Sequence, residues 1–344
     1  MDTVLYLANT QSDGSLDKGA LEALTAAKAL SEQLEGASLC VAVVGEDIQG
    51  AADAIANCGA SRFLGVSGAQ VAQARYTTDA AAVEALCRAA EATIVVCGNS
   101  SRFNRVLPGV ASRLGGCADL HSAAIDVNDG NVSITRWYYR QRIRASLVRE
   151  KRPWLVSLEP GNYTGWTGEA GSAQVEAVSV DLPDASVRTS VVGLAKPATD
   201  AQTIRPDADL LIVAGAGWTK KQADGQTHTQ EAEAIILDAL AKTQASLGGS
   251  KSLVDMSGEG QAALTIMTHL NQVGQTGAIP RHPKGLATCC HGEEPHVVGW
   301  RFINERRAIN LDPNCGWAHG KTDVLYVADA FEVMQKVNAL LEAT

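Results

Sequence analysis

The sequence has few aromatic residues: phenylalanine, tyrosine and tryptophan together make up 5% of it. Its apolar positions are filled mainly by alanine, valine, leucine and isoleucine, which suit helices packed on buried parallel strands. We therefore expect an α/β protein and not an all-β sandwich. With 344 residues and 46% hydrophobic composition, the chain is long enough to fill two hydrophobic cores.

An excess of positive charge is also missing. The formal net charge is -9 at pH 7, so the protein as a whole repels phosphate backbones and anionic membrane surfaces. No uninterrupted apolar run approaches the roughly 18 residues that a membrane-spanning helix needs, and residues 1–4 carry no basic leader. We expect a soluble, cytoplasmic protein with no nucleic-acid partner and no direct membrane insertion.

The sequence lacks the cysteine spacings of a disulfide framework or of a Cys-x-x-Cys metal site. Five of the eight cysteines stand isolated among apolar or small residues, which is typical of reduced core cysteines. A crowded stretch near the C-terminal end keeps a zinc or iron–sulfur site as an alternative: Cys289, Cys290, His291, His296, Cys315 and His319. Adjacent cysteines on a strand point to opposite faces, so we predict no metal site there.

Short apolar runs alternate with alanine- and leucine-rich helical stretches in the first half of the chain. Residues 4–8, 39–45 and 93–97 have the composition of buried strands, and a helical pattern of leucines lies between the first two. The small-residue turn at 98–103 follows the third strand and precedes a helix, which is a common ligand position in open α/β sheets. The pattern predicts a doubly wound α/β domain over residues 1–183.

Residues 133–157 differ from this pattern, because they alternate and carry many charges. Arg140, Arg142 and Arg144 lie on one face of a predicted strand. One interpretation is a basic, aromatic-interleaved nucleic-acid surface over residues 136–152. The acidic charge of the whole protein favours the other interpretation, an exposed antiparallel extension whose arginines meet carboxylates or a partner protein.

A polar, proline-containing linker over residues 184–206 precedes a second domain at 207–344. The second domain opens with a buried strand at 207–215. We then expect a helix that carries Ile236, Leu240, Thr243 and Leu247 on one face and ends at Gly248 and Gly249. Further predicted strands lie at 251–255, 286–290, 307–310 and 324–327. A final amphipathic helix is expected to face inward with Phe331, Met334, Val337 and Leu341.

This second pattern predicts another doubly wound sheet, built for a dinucleotide but without the usual Gly-x-Gly-x-x-Gly signature. Four of its segments are Gly-Ser-Lys-Ser-Leu-Val-Asp at 249–255, Asn-Gln-Val-Gly-Gln-Thr-Gly at 271–277, Cys-Cys-His-Gly-Glu-Glu-Pro-His at 289–296 and Ala-Ile-Asn-Leu-Asp-Pro at 308–313. In order and spacing they resemble the flavin-binding half of electron transfer flavoprotein alpha subunits. The N-terminal half also has that family's layout, most clearly at 98–114, so the resemblance covers nearly the whole chain.

The resemblance implies two doubly wound domains, of which the C-terminal one is a Rossmann-like FAD-binding domain. The residues that it places at the cofactor are Ser250, Lys251, Val273, Gly274, Gln275, Thr276, Gly277, His291, Gly292, Glu293, Glu294, Pro295, His296, Asn310 and Trp218. The two glycines of the 273–277 turn let backbone amides approach a ligand closely, and Gln275 and Thr276 offer polar side chains. By analogy, Thr276 and His296 lie near the flavin ring, Ser250 and Lys251 suit the phosphates, and Asn310 suits the adenosine end.

Two departures from the family pattern are expected to alter the flavin's potential. Gly217 stands where the family has an arginine over the flavin, so a stabilising positive charge is lost. Trp218 beside it would either stack on the ring or pack between domains, while Lys220, Lys221 or Arg281 would compensate for the charge. Glu293 and Glu294 place carboxylates beside an anionic cofactor, which would weaken the site unless the side chains turn away.

The function that the resemblance implies is electron transport without substrate turnover. The chain would be the alpha subunit of a heterodimer, with residues 1–183 contacting an electron transfer flavoprotein beta subunit that carries AMP. Its FAD would accept electrons from flavin or iron–sulfur dehydrogenases and pass them toward a quinone reductase.

Two alternatives are a flavin-free interaction subunit that keeps the fold, and a nucleotide-dependent transferase or hydrolase that uses loop 98–102. For the latter, the sequence offers no convincing Ser/His/Asp arrangement, and His121 alone is more often structural.

Overall fold

The computed structural model describes residues 2–128, 130–138, 143–182, 188–193, 204–205, 208–256, 263–274, 277–288, 300 and 303–343. The chain divides into two compact units, Met1–Leu194 and Ala195–Thr344. Both units are doubly wound α/β structures, which confirms the fold class that the sequence predicts. Within the described residues, no helix is both long enough and apolar enough to span a lipid bilayer.

The first unit is built on a nine-stranded sheet. Its strands are β1 (Thr3–Asn9), β2 (Ser38–Gly45), β3 (Arg62–Ser67), β4 (Ile94–Gly98), β5 (Cys117–Asn128), β6 (Asn131–Tyr138), β7 (Ile143–Val148), β8 (Trp154–Leu158) and β9 (Val175–Ala177). Its helices are α1 (Lys18–Gln33), α2 (Gln49–Ala54), α3 (Ala69–Ala72), α4 (Tyr76–Ala89) and α5 (Ser101–Arg113). The strand order is β7-β6-β5-β8-β4-β1-β2-β3-β9, and among the described strands β6 alone runs in the direction opposite to the others.

Helices cover both faces of this sheet, so its central strands are buried on both sides. In β1, Val4 and Tyr6 face one core together with α1, while Leu5 and Leu7 face a second core with α4 and α5. A parallel strand that is buried on both faces appears in the sequence as a continuous apolar run, as β1 does. The strands predicted at 4–8, 39–45 and 93–97 are therefore confirmed within one residue at most ends.

The second unit contains a five-stranded, fully parallel sheet. Its strands are β10 (Leu210–Ala214), β11 (Ser246–Gly249), β12 (Lys284–Thr288), β13 (Glu305–Asn310) and β14 (Val324–Val327). Its helices are α6 (Thr229–Thr243), α7 (Lys251–Met256), α8 (Gly316–Lys321) and α9 (Ala330–Glu342), with short 3-10 helices at Ala216–Thr219 and His269–Asn271. The strand order is β11-β10-β12-β13-β14, which is the 2-1-3-4-5 order of flavodoxin-like sheets.

Two expectations for the start of this unit are wrong. The helix predicted to reach Leu247 ends at Thr243, because Gln244 takes a left-handed conformation with φ 53°, and Leu247 lies in β11. Residues 251–255 form helix α7 and not a strand. The hydroxyl of Ser250 accepts a hydrogen bond from the backbone N–H of Leu253 at 3.2 Å, as a helix cap does. Short apolar runs fit both periodicities, so the sequence does not separate these cases.

The inward face of α9 is shorter than the sequence predicts. Phe331 and Met334 are buried as expected, whereas Leu341 is 37% exposed, so its predicted inward position is wrong. The buried stripe ends at Asn338, whose amide donates to the carbonyl of Ile235 at 2.9 Å. The apolar contact stops there because α6 offers the Lys242 ammonium to the last turn of α9.

Candidate cofactor site

In the second unit the strand order reverses between β10 and β12, and the candidate site is the crevice that such a switch point provides at the carboxyl ends of these strands. Open parallel sheets bind their ligands at this switch point, outside the carboxyl ends of the strands. The backbone N–H of Gly215 donates to the carbonyl of Thr288 at 2.9 Å, and this bond joins the ends of the two strands. Five of the residues assigned to the cofactor from the sequence follow or end a strand, or pair with a strand end, at this edge: Trp218, Ser250, Lys251, Val273 and Asn310.

The 273–277 turn is held against the end of β11. The backbone N–H of Val273 donates to the carbonyl of Gly249 at 3.0 Å, and the next residue, Ser250, donates its N–H to the carbonyl of Ala214 at 3.0 Å. These two bonds bring the turn beside β11 and the end of β11 beside the end of β10. The turn and Ser250, which are distant in sequence, therefore meet at the carboxyl edge of the sheet.

The two glycines of this turn are required by its geometry. Gly274 has a φ of 121°, which side chains rarely adopt. A Cβ at Gly277 would lie 2.1 Å from the carbonyl oxygen of Gln272. The N–H groups of both glycines bond within the turn, to Ala278 at 2.9 Å and to Gly274 at 3.1 Å respectively. These amides close the turn, so direct contacts to a ligand would come from other atoms of the segment.

Asn310, the last residue of β13, presents a buried amide donor at the same edge. The residue is 1% exposed, and its Oδ1 accepts a hydrogen bond from the N–H of Asp312 at 3.0 Å. Its Nδ2 is buried and has no hydrogen-bond partner among the described residues. A buried donor left unpaired costs roughly 1–3 kcal/mol. The amide thus has the chemistry of a ligand contact, and a dinucleotide fits this requirement because it is rich in acceptor atoms.

Lys251 and Trp218 differ in their exposure to solvent. Lys251 is exposed in the first turn of α7, and its ammonium forms an ion pair with Asp255. Trp218 is fully buried, and its ring packs on that of Phe331 with 4.6 Å between centroids. Its indole N–H donates to the hydroxyl of Thr288 at 2.9 Å. This placement in the core of the second unit favours a packing role for Trp218 over stacking on a flavin.

The remaining residues assigned to the site lie outside the described residues. They are Gln275, Thr276, His291, Gly292, Glu293, Glu294, Pro295 and His296. Cys289 and Cys290 also lie outside them, so the metal alternative concerns mainly this part of the chain. Where the structure describes the chain, no three His, Cys, Asp or Glu side chains come together as a metal site. Cys315 is buried there, and the His319 ring contacts the carbonyl of Pro313.

Thr288 is a site residue that the sequence did not single out. It ends β12 at the switch point, contacts Trp218 and bonds through its carbonyl to Gly215. One signal for it exists in the sequence: a hydroxyl residue stands inside the strand predicted at 286–290, just before the segment that resembles the family. The partner of that hydroxyl could not be inferred, because it lies 70 residues away in the chain.

The loop at 98–102 of the first unit has structural contacts that account for its polar residues. Ser100 caps α5 by accepting from the N–H of Phe103 at 3.2 Å. The Arg102 guanidinium forms an ion pair with the buried carboxylate of Asp79. The carboxylates that follow β1 and β2 disfavour a phosphate ligand at this edge: Asp13, Asp17, Glu46 and Asp47. These features weigh against an enzyme built on this loop.

The arginines of the antiparallel extension meet a carboxylate, as one of the two interpretations expects. Asp119 accepts two hydrogen bonds from Arg149, at 2.8 and 2.9 Å, and Arg136 lies 3.5 Å away. The indole N–H of Trp154 also donates to Asp119, at 3.0 Å. Arg144 lies on the exposed strand β7, while Arg140 and Arg142 fall outside the described residues.

The fold and the edge residues together define a two-unit, doubly wound α/β protein with a candidate ligand site at the carboxyl edge of its second sheet. The electron transfer flavoprotein domain family matches residues 4–184. Over 309 residues the chain is 26% identical to Protein FixB from Clostridium saccharobutylicum, an alignment that covers 88% of this chain and 85% of that protein. The chain belongs to the electron transfer flavoprotein family, whose members bind flavin and carry electrons. The FixB alignment necessarily extends into the second unit, because the first unit holds only 194 residues.

Proposed function

We propose that this chain is the FAD-carrying alpha subunit of a heterodimeric electron transfer flavoprotein, and that its second unit holds the cofactor. The observation that carries the proposal is that Ser250, the 273–277 turn and Asn310 all lie along the carboxyl edge of a 2-1-3-4-5 sheet. These residues come from three separate segments. A site assembled in this way suits a ligand with several recognisable parts.

The extent of the site supports an elongated ligand. Ser250 follows β11 and Asn310 ends β13, three strand positions apart in the sheet, which is about 14 Å at the usual strand spacing. A ligand that contacts both must cross the switch point between β10 and β12. FAD meets this condition, and when bound it would supply the ability to accept and release electrons.

Each residue has a definite task in this proposal. The Asn310 amide would donate to an acceptor on the adenosine end, and this contact would satisfy its Nδ2. Ser250 fixes the exit of β11 through its backbone bond to Ala214 and its cap on Leu253. The 273–277 turn begins next to that exit, where Val273 bonds to Gly249, and Lys251 supplies an exposed positive charge for phosphate. No general acid, base or nucleophile is needed.

The partners follow from family membership and from the proposed cofactor. We propose that residues 1–183, within the first unit, contact a homologous beta subunit that carries AMP. Flavin or iron–sulfur dehydrogenases would donate electrons, and a quinone reductase would accept them. A flavin-free subunit that keeps the fold is the second candidate, and the observation that favours it is the burial of Trp218 against Phe331 in the core, where its ring is not available to stack on a flavin.

Spectroscopy of the purified full-length chain, alone and with its beta partner, tests the proposal. We expect a flavin absorbance band near 450 nm, either as purified or after reconstitution with FAD. The variant Asn310→Leu should bind FAD about tenfold more weakly or worse, because it removes the unpaired donor. Asn314→Leu, an exposed change in the loop that follows β13, serves as the control and should bind FAD normally. A colourless wild-type heterodimer that takes up no FAD would rule out the carrier function.

A further inference from the structure

A buried hydrogen-bond network joins the two strand ends that border the crevice. The indole N–H of Trp218 donates to the hydroxyl of Thr288 at 2.9 Å, and both residues are 0% exposed. The same hydroxyl lies 3.4 Å from the carbonyl of Val213 in β10 and donates to it. Together with the bond from Gly215 to the Thr288 carbonyl, these contacts fix β10, β12 and the following loop at one point.

The loop after β10 is anchored by this indole. Residues Ala216–Thr219 form a 3-10 turn that carries the Trp218 side chain into the core, where it contacts Phe331 of α9. The amide of Gln222 donates to the carbonyl of Gly217 at 3.1 Å and closes the loop on its far side. Lys220 and Lys221 are exposed, so the described loop places no cation in the core beside the crevice.

We propose that Trp218 is a positioning residue for the cofactor, acting through Thr288 to fix the loop after β10 against the ends of β10 and β12. The inference rests on the proposed FAD site and adds a residue pair to it. A loop that is already fixed in place binds a ligand without the cost of ordering first. The loop is thus organised from the core side by an indole hydrogen bond, next to the glycine at 217.

Two substitutions remove the same hydrogen bond from its two ends. Trp218→Phe keeps an aromatic ring against Phe331 but loses the donor, and Thr288→Val keeps the branched shape but loses the acceptor. Trp300→Phe is the matched control. Trp300 is also buried, at 1% exposure, and donates to the carbonyl of Lys321 at 3.0 Å, but its ring lies against Gly285 near the amino end of β12.

The experiment titrates FAD into each full-length apoprotein and follows the quenching of flavin fluorescence, with thermal melting recorded in parallel. We expect Trp218→Phe and Thr288→Val each to weaken FAD binding by about two- to tenfold. Thr288→Val also removes the bond to Val213, so the double variant should bind no more weakly than Thr288→Val alone, because the indole bond is already lost there. Trp300→Phe should lower the melting temperature to a similar extent and leave FAD affinity unchanged.

Four outcomes overturn the inference. Wild-type affinity in a folded Trp218→Phe protein removes the positioning role and leaves the FAD site intact. Additive effects of the two substitutions, or an equal loss of FAD affinity in Trp300→Phe, would reduce Trp218 to an ordinary core residue. If the wild-type chain itself binds no FAD, the proposed function fails and the inference fails with it. Should Thr288→Val not fold, Trp218→Phe and the Trp300→Phe control decide the matter.

Discussion

The guanidinium of Arg102 and the carboxylate of Asp79 form a two-bonded ion pair inside the first unit, with distances of 2.6 and 3.0 Å. Their side chains are 9% and 1% exposed, so neither charge has full access to water. The same guanidinium also donates to the carbonyl of Val71 at 2.6 Å. Removing one partner of a buried pair leaves the other charge uncompensated.

We therefore predict that Asp79→Asn lowers the free energy of unfolding by about 3–5 kcal/mol, measured by urea denaturation at pH 7. The control is Glu176→Gln, which removes an ion pair of the same two-bonded geometry with Arg62. That pair is 43% and 52% exposed, so its loss should cost less than about 1 kcal/mol. Similar costs for the two variants would contradict the argument that burial decides the effect.

The second prediction concerns the pH dependence of the Asp119 cluster. Burial alone would raise the pKa of Asp119, but hydrogen bonds from Arg149 and Trp154 and the charge of Arg136 offset it and hold the pKa below its usual value. A lowered pKa in the folded state gives stability that is present above the unfolded value of about 3.9 and is lost as the pH falls through the folded value. Asp119→Asn should cost about 2 kcal/mol at pH 7. The difference from wild type should shrink below pH ~4.

Glu22 should show the opposite pH dependence. Burial raises its pKa, and the hydrogen bond from the N–H of Gly161 and the charge of Lys18 only partly offset this. A raised pKa gives a contribution that is fully present below the unfolded value of about 4.3 and is lost as the pH rises through the folded value. The stability of Glu22→Gln relative to wild type should therefore increase from pH 4 to pH 7. Urea denaturation at several pH values measures this, and a flat or falling difference would contradict it.

The elements of the first unit follow closely from the sequence, because strands such as β1 are continuous apolar runs with helices between them. Over residues 244–256 the sequence does not distinguish helix from strand: Leu247 continues a helical spacing but lies in a strand. Whether such a run forms a strand or a helix depends on neighbours distant in the chain. Here the bond of Ser250 to the end of β10 and its cap on α7 decide the outcome.

The sequence predicts which residues form the proposed site but not how they pair with one another. The resemblance singled out Ser250, the 273–277 turn and Asn310, and the strand order places all three at one edge. The sequence could not reveal that Trp218 donates to Thr288, or that Asn310 keeps one amide hydrogen-bond donor buried and unpaired within the described structure. These facts depend on which strands become neighbours. Strand order in a parallel sheet is set by long crossover connections and leaves no local pattern.

The fourth prediction concerns thiol reactivity. Of the cysteines that the structure describes, only Cys117 is not fully buried. Burial raises the pKa of Cys40 to about 11 and that of Cys87 to about 12, and it raises the pKa of Cys97 further. Because the thiolate is the reactive form, iodoacetamide at pH 8 should modify Cys117 first among these residues in the native protein. Peptide mass spectrometry gives the order. Labelling of Cys97 at the same rate as Cys117, without unfolding, would contradict the structure.

The last prediction tests the turn on which the proposed site depends. In Gly277→Ala, the new Cβ would meet the carbonyl oxygen of Gln272 at 2.1 Å, and backbone cannot yield as a flexible side chain can. The turn must open, which breaks the bond from Ala278 to that carbonyl and moves the neighbouring Gln275 and Thr276. We expect a loss of at least about 2 kcal/mol in unfolding free energy together with loss of bound FAD.

Gly320→Ala is the control, because Gly320 lies in α8 with no atom within 4 Å of a new Cβ. Alanine there favours the helix by up to about 1 kcal/mol, so flavin content should be unchanged and stability equal or higher. Normal flavin content in Gly277→Ala would show that the cofactor does not depend on this turn.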